Sequence, residues 1–113
     1  MARLPIQIGR ESYVQYCASC HGADGRGGGA VAPALKTAPT DLTHFAARRE
    51  GRFSEKEVAS LIDGREMPTV HGTREMPVWG KRFSERLGGG EIGEEAVRGQ
   101  LLVLIEYLRS IQR

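Results

Sequence analysis

The stretch Cys17-Ala18-Ser19-Cys20-His21 constrains the chain more than any other. Two thiols separated by two residues, with an imidazole directly after them, are what covalent haem attachment needs. Each sulfur can bond one vinyl carbon while the next residue reaches the iron. A C-x-x-C pair alone also fits a thioredoxin-like dithiol or half of a zinc site. The sequence contains no further cysteine, so the second half of a cysteine-rich zinc site is missing. No βαβ pattern flanks Cys17, which removes the context of a thioredoxin-type site. The rest of the chain then reads as packaging for one iron.

Composition sharpens that expectation. A chain of 113 residues makes one domain, read here as residues 1–113, but with fifteen glycines and 6% aromatic residues its own core would be thin. A buried porphyrin would supply the missing apolar interior, so the haem-free chain is expected to fold poorly. A formal charge of +2 is too small for nucleic-acid binding, and two haem propionates would bring it to about zero. No apolar run approaches the roughly 20 residues that span a bilayer, so no transmembrane segment is expected.

Helical periodicity places the elements. Residues from Gly9 to about Cys20 read as a first helix, with Gly9, Tyr13 and Cys17 at four-residue steps. Glycine inside a helix costs about 1 kcal/mol against alanine, so Gly9 implies close approach of another helix. Gly22 to Gly29 is a glycine-rich loop without the order of a phosphate loop. Thr40 or Asp41 can cap a short element ahead of Phe45 and Ala46. Ser54-Glu55-Lys56-Glu57 has capping-box order and opens a helix carrying Val58, Leu61 and Ile62 on one face, closed by Gly64. Arg65 to Gly80 is irregular, with Met67-Pro68 and Met76-Pro77, and a segment of that length implies a site to serve. Phe83 to Leu87 adds at most one helical turn. Glu94 to Gln112 is the strongest helix, with an apolar stripe at Val97, Leu101, Leu104, Ile105, Leu108 and Ile111. No stretch alternates long enough for a strand, and the expected class is all-α with long loops.

Taken together, these residues resemble a class I cytochrome c nearly end to end. The resemblance rests on Cys17-Ala18-Ser19-Cys20-His21-Gly22, on Gly9 and Tyr13 in the first helix, and on Leu104, Tyr107 and Leu108 in the last. It implies four to five helices wrapped around one covalent haem c, with the N- and C-terminal helices crossing at Gly9. It implies His21 as the proximal iron ligand. It also implies a prolyl carbonyl after the glycine-rich loop, by order Pro33, accepting the other ring N–H of that histidine. Attachment in this family takes place outside the cytoplasmic membrane, so a periplasmic location is expected. Met1 to Arg10 has no signal-peptide core, so the export signal is expected to have been removed or replaced, with Met1-Ala2 an expression remnant.

Two methionines compete for the sixth position. Met76-Pro77-Val78-Trp79-Gly80 resembles the pattern that follows the ligand in many bacterial members, which favours Met76 as the second metal ligand. Met67 comes too soon after the Ser54 helix and reads as a thioether packed nearby. His44 and His71 are rival imidazoles without a recognised context. Trp79 reads either as an indole N–H donor to a propionate or as a core aromatic.

With both axial positions filled the iron has no place for substrate, leaving one-electron transfer through an exposed haem edge. The expected function is a soluble, non-enzymatic electron carrier between redox proteins, as a monomer or as a domain of a larger assembly. Arg65, Arg74, Lys81, Arg82 and Arg86 surround the ligand segment and could meet an acidic partner, or be ordinary charges offset by Glu66, Glu75 and Glu85. The alternatives are an electron-entry domain or subunit of a larger redox enzyme, and a haem sensor or peroxidase whose methionine leaves.

Overall fold

Five α-helices, three short 3-10 turns and no strand make up residues 4–66 and 76–113, which are those the structure, a computed structural model, describes. The expectations at Met67, His71 and Arg74 lie outside the described residues. Helix α1 spans Pro5–Tyr16, α2 Ala18–His21, α3 Glu55–Asp63, α4 Trp79–Arg86 and α5 Gly90–Ser110.

Helix α1 begins four residues earlier than its apolar spacing predicts. Pro5 occupies the first helical position, where its missing N–H costs nothing, and the Gln7 side chain accepts from the Leu4 backbone N–H at 3.0 Å. The helix breaks at Cys17, whose φ of −120° departs from helical geometry, and α2 carries the rest of the motif. Helix α3 follows the sequence signals closely: the Ser54 hydroxyl accepts from Glu57 N–H at 3.2 Å, and Gly64 ends it at φ 74°. Helix α4 is two turns rather than one, because it starts at Trp79 and runs through Gly80.

The described chain gathers into two compact units, Met1–Phe53 with Val103–Arg113 and Ser54–Leu102. In the first, Tyr13, Phe45, Ala46, Leu104, Ile105, Tyr107 and Leu108 are buried. Its centre is the meeting of α1 with the end of α5. A Cβ built on Gly9 would overlap the Val103 carbonyl oxygen and stand 2.7 Å from its carbon, so only glycine permits this backbone approach. Tyr13 and Tyr107 pack beside it with ring centroids 5.2 Å apart. The chain end is tied back as well: Arg113 N–H donates to Thr43 O at 2.8 Å, and the Gln112 amide accepts from Ala46 N–H at 2.9 Å.

In the second unit Val58, Ile62, Trp79, Phe83, Val97 and Leu101 are buried. Helices α3 and α4 pack together. Trp79 stacks on Phe83 at 5.4 Å and 21°. Gly93 lies against Ser84, where a Cβ would stand 2.7 Å from the serine carbonyl oxygen.

Candidate functional site

The glycine-rich loop presents the cysteine–histidine motif by folding back along it. Gly27 N–H donates to His21 O at 2.7 Å, Gly29 N–H to Cys20 O at 3.1 Å, and Val31 N–H to Ser19 O at 2.8 Å. Three consecutive carbonyls at the end of α2, which a helix terminus leaves without intrahelical partners, are thereby satisfied. Gly29 has to be glycine here, since a Cβ would overlap the Ser19 carbonyl and stand 2.6 Å from that of Ala18. Gly22 follows the motif at φ 83°, and its carbonyl accepts from the buried Tyr13 hydroxyl at 2.6 Å. Helix α1 is thus fastened to the residue directly after His21.

Cys17 and Cys20 are half-buried and not joined to each other. Burial first, and the neighbouring Cys20 second, push the Cys17 thiol up to about 12. A reactive dithiol needs the opposite shift, toward thiolate at neutral pH. The Cys17 thiol is therefore held in its protonated form at neutral pH.

His21 is positioned through its ring. Nδ1 lies 3.0 Å from the Thr40 carbonyl oxygen. A carbonyl can only accept, so Nδ1 carries the proton and Nε2 keeps its lone pair for a metal. Burial holds the imidazole below its ordinary value, partly opposed by that hydrogen bond, which favours the neutral ring a ligand must be.

The partner carbonyl differs from the one expected. Pro33 sits in a 3-10 turn, Ala32–Ala34, reached only after residues 27 to 31 have been spent on the backbone of the motif. The ring is met seven residues further on. Leu42 N–H donates to Gly25 O at 2.6 Å, drawing the Pro39-Thr40 segment alongside the loop, and a Cβ on Gly27 would stand 2.5 Å from the Pro39 carbonyl oxygen. Asp41 holds the next turn by accepting from Thr43 N–H at 2.9 Å and Thr43 hydroxyl at 2.6 Å.

A family model described as cytochrome c oxidase, cbb3-type, subunit III matches residues 5–87. The chain belongs to this family of c-type cytochrome domains. Membership implies a covalently bound c-type haem with its iron, and haem-based electron transfer as the function. No curated protein and no solved structure matches the chain. Cytochrome domains of this kind are generally electron carriers rather than enzymes, and generally extracytoplasmic. No helix among the described residues is long and apolar enough to cross a membrane.

The residues of this cytochrome fit the group. Two unpaired thiols one helical turn apart precede a neutral imidazole whose Nε2 is left open, all held on one braced backbone segment. His44, the described rival imidazole, is half-exposed and engaged with Asp41 at 3.0 Å. Met76 and Pro77 are half-buried and precede α4, and Trp79 is a buried aromatic at its start, with the Arg82 guanidinium 5.4 Å from its ring.

Of the two readings of Arg65, a cation offered to a partner or a charge offset within the chain, the contacts fit the second, though with other carboxylates than Glu66, Glu75 and Glu85. Its guanidinium is held by Asp63 and Glu94, at 2.6 to 3.0 Å. Lys81 faces Glu85 at 3.9 Å. Sequence reasoning about the site did not find Thr40, because a backbone carbonyl has no side-chain signature.

Proposed function

We propose that residues 1–113 form one cytochrome c domain in which Cys17 and Cys20 bind the haem through thioether bonds and His21 Nε2 and Met76 Sδ ligate its iron. The bound haem supplies a one-electron Fe(III)/Fe(II) couple. The observation that carries the reading is the His21 ring, fixed by Thr40 with Nε2 free, one residue after Cys20. A thioether opposite an imidazole favours the reduced state relative to two imidazoles and leaves no open position for substrate. The domain then passes electrons between redox proteins in the periplasm, through brief and weakly held contacts.

A second reading follows from the family's own description as a subunit of a cytochrome c oxidase. On that reading the domain is the electron-entry part of a larger enzyme, with the same iron ligands. Affinity purification from native membranes separates the two: recovery within an oxidase assembly supports the subunit, and recovery as a free species supports the carrier.

The iron ligands are tested by spectroscopy on the holoprotein. The pyridine haemochrome spectrum should be that of haem c, and the oxidised protein should show the weak red band of Fe(III)–thioether ligation. Met76→Ala should abolish that band and lower the potential, whereas Met67→Ala should keep both. The reverse result assigns the ligand to Met67.

A further inference from the structure

We infer that Asp63, Arg65 and Glu94 form a positioning clasp that holds Gly80, four residues after Met76, and so resists replacement of the Met76 thioether by another ligand. The inference rests on the reading of Met76 as the sixth ligand.

The clasp is built from three parts of one unit. Gly64, at φ 74°, turns the chain sharply at the end of α3 and brings residue 65 back toward residue 63. Asp63 Oδ1 then accepts from both the backbone N–H and Nε of Arg65, at 3.2 and 2.8 Å, while Asp63 Oδ2 accepts from Nη2 at 2.9 Å. The other edge of the guanidinium donates to both Glu94 oxygens, at 2.6 and 3.0 Å. One arginine therefore holds two carboxylates in forked geometry, on the last turn of α3 and the first turns of α5.

Gly80 closes the arrangement from α4. A Cβ there would overlap the Asp63 carboxylate and stand 2.6 Å from Arg65 Nε. The backbone of α4 therefore rests directly on the ion pair. The chain is pinned at residue 80, and Met76 lies four residues before that pin. From Met76 to the pin run only Pro77, with its fixed φ, Val78 and the buried Trp79. Such a short, stiff tether gives the sulfur little room to leave, because moving it far requires releasing Gly80 from the clasp or unstacking Trp79 from Phe83.

Ligand exchange reports this directly. Imidazole binding to the ferric holoprotein breaks the Fe–S bond and forms an Fe–N bond, with no change in electron count. Its apparent affinity is the intrinsic affinity reduced by how firmly Met76 is held. Arg65→Gln and, independently, Glu94→Gln should each raise the affinity by about three- to tenfold, the size expected for a part-exposed forked network. In a Met76→Ala background, where no thioether has to leave, neither substitution should change it. An equal rise in both backgrounds, or no rise in either, overturns the clasp while leaving the ligand assignment intact. If Met76→Ala keeps the red band, the ligand reading itself falls and takes the clasp with it. Should Arg65→Gln reduce holoprotein yield, Glu94→Gln carries the comparison alone, since it removes a charge without disturbing the Asp63 turn.

Discussion

Replacing Gly9 by alanine should destabilise the protein even though alanine is the better helix former. The new Cβ would overlap the Val103 carbonyl oxygen and lie 2.7 Å from its carbon and 3.0 Å from Tyr107 Cβ. Carbon atoms in contact sit about 3.5–4.0 Å apart, so α1 and the end of α5 would have to separate by roughly 1 Å. Two of the neighbours are backbone atoms of a helix and cannot step aside. A gap of that size forfeits about a quarter to a half of the dispersion energy across it, and here it opens beside Tyr13 and Leu104, which are 0% and 1% exposed. Overpacking and lost contact together cost roughly 3–4 kcal/mol, against a helix-propensity gain of about 1 kcal/mol, leaving a net loss of about 2–3 kcal/mol. Urea unfolding of the holoprotein, followed by far-ultraviolet circular dichroism, should show a midpoint lower by roughly 1–2 M. Gly99→Ala on α5 is the counterpart, because a Cβ there meets nothing within 4 Å. It should stabilise by up to about 1 kcal/mol. A Gly9→Ala protein as stable as the parent, or one that shifts in the same direction as Gly99→Ala, would refute the close-approach argument.

Other perturbations test the surroundings of the haem motif. Tyr13→Phe leaves the Gly22 carbonyl without its hydroxyl donor in a buried place, where burial also holds the phenol well above its usual range. The same urea measurement should register a loss of about 1–2 kcal/mol. Ser54→Ala removes the α3 cap and should cost about 1 kcal/mol. The Asp41 carboxyl is held below its ordinary value of 3.8, first by the Thr43 hydroxyl. The folded state therefore binds that proton less readily than the unfolded chain does, so the stabilisation is complete above the ordinary value and is lost as pH falls through the lower folded one. Between about pH 5 and about pH 2, Asp41→Asn should show a flatter dependence of the urea midpoint on pH than the parent.

What could be read before any coordinates depended on whether a residue's side chain, or its lack of one, carried the information. Gly9 was legible because a glycine in mid-helix needs a steric reason, and the Val103 carbonyl supplies it. Ser54 and Gly64 were legible because caps have chemical signatures. The early start of α1 was harder to see, since Ile6 and Ile8 are exposed and make no apolar stripe, although Pro5 and Gln7 mark the terminus. Gly80 resembles a helix breaker by composition, yet it lies inside α4 because Asp63 and Arg65 occupy the space of its side chain. The acceptor for His21 was out of reach for a different reason. Any residue can offer a carbonyl, and the choice of Thr40 over Pro33 is made by backbone hydrogen bonds of the glycine-rich loop. Asp63, Arg65 and Glu94 look like ordinary surface charges until the turn at Gly64 sets Arg65 beside Asp63, with Glu94 of α5 on the other edge of its guanidinium.

The pairing of Gly9 with Val103 also sets a clock. The first helix finds its packing partner only about ninety positions later in the chain. Until then Tyr13 has nothing to bury against from that side, and Met1–Phe53 lacks Val103–Arg113, the segment that completes its unit. Before residues 103–113 are present that unit cannot be completed. Closing so long a loop is entropically costly, so the contact between α1 and the end of α5 belongs to the late steps of folding.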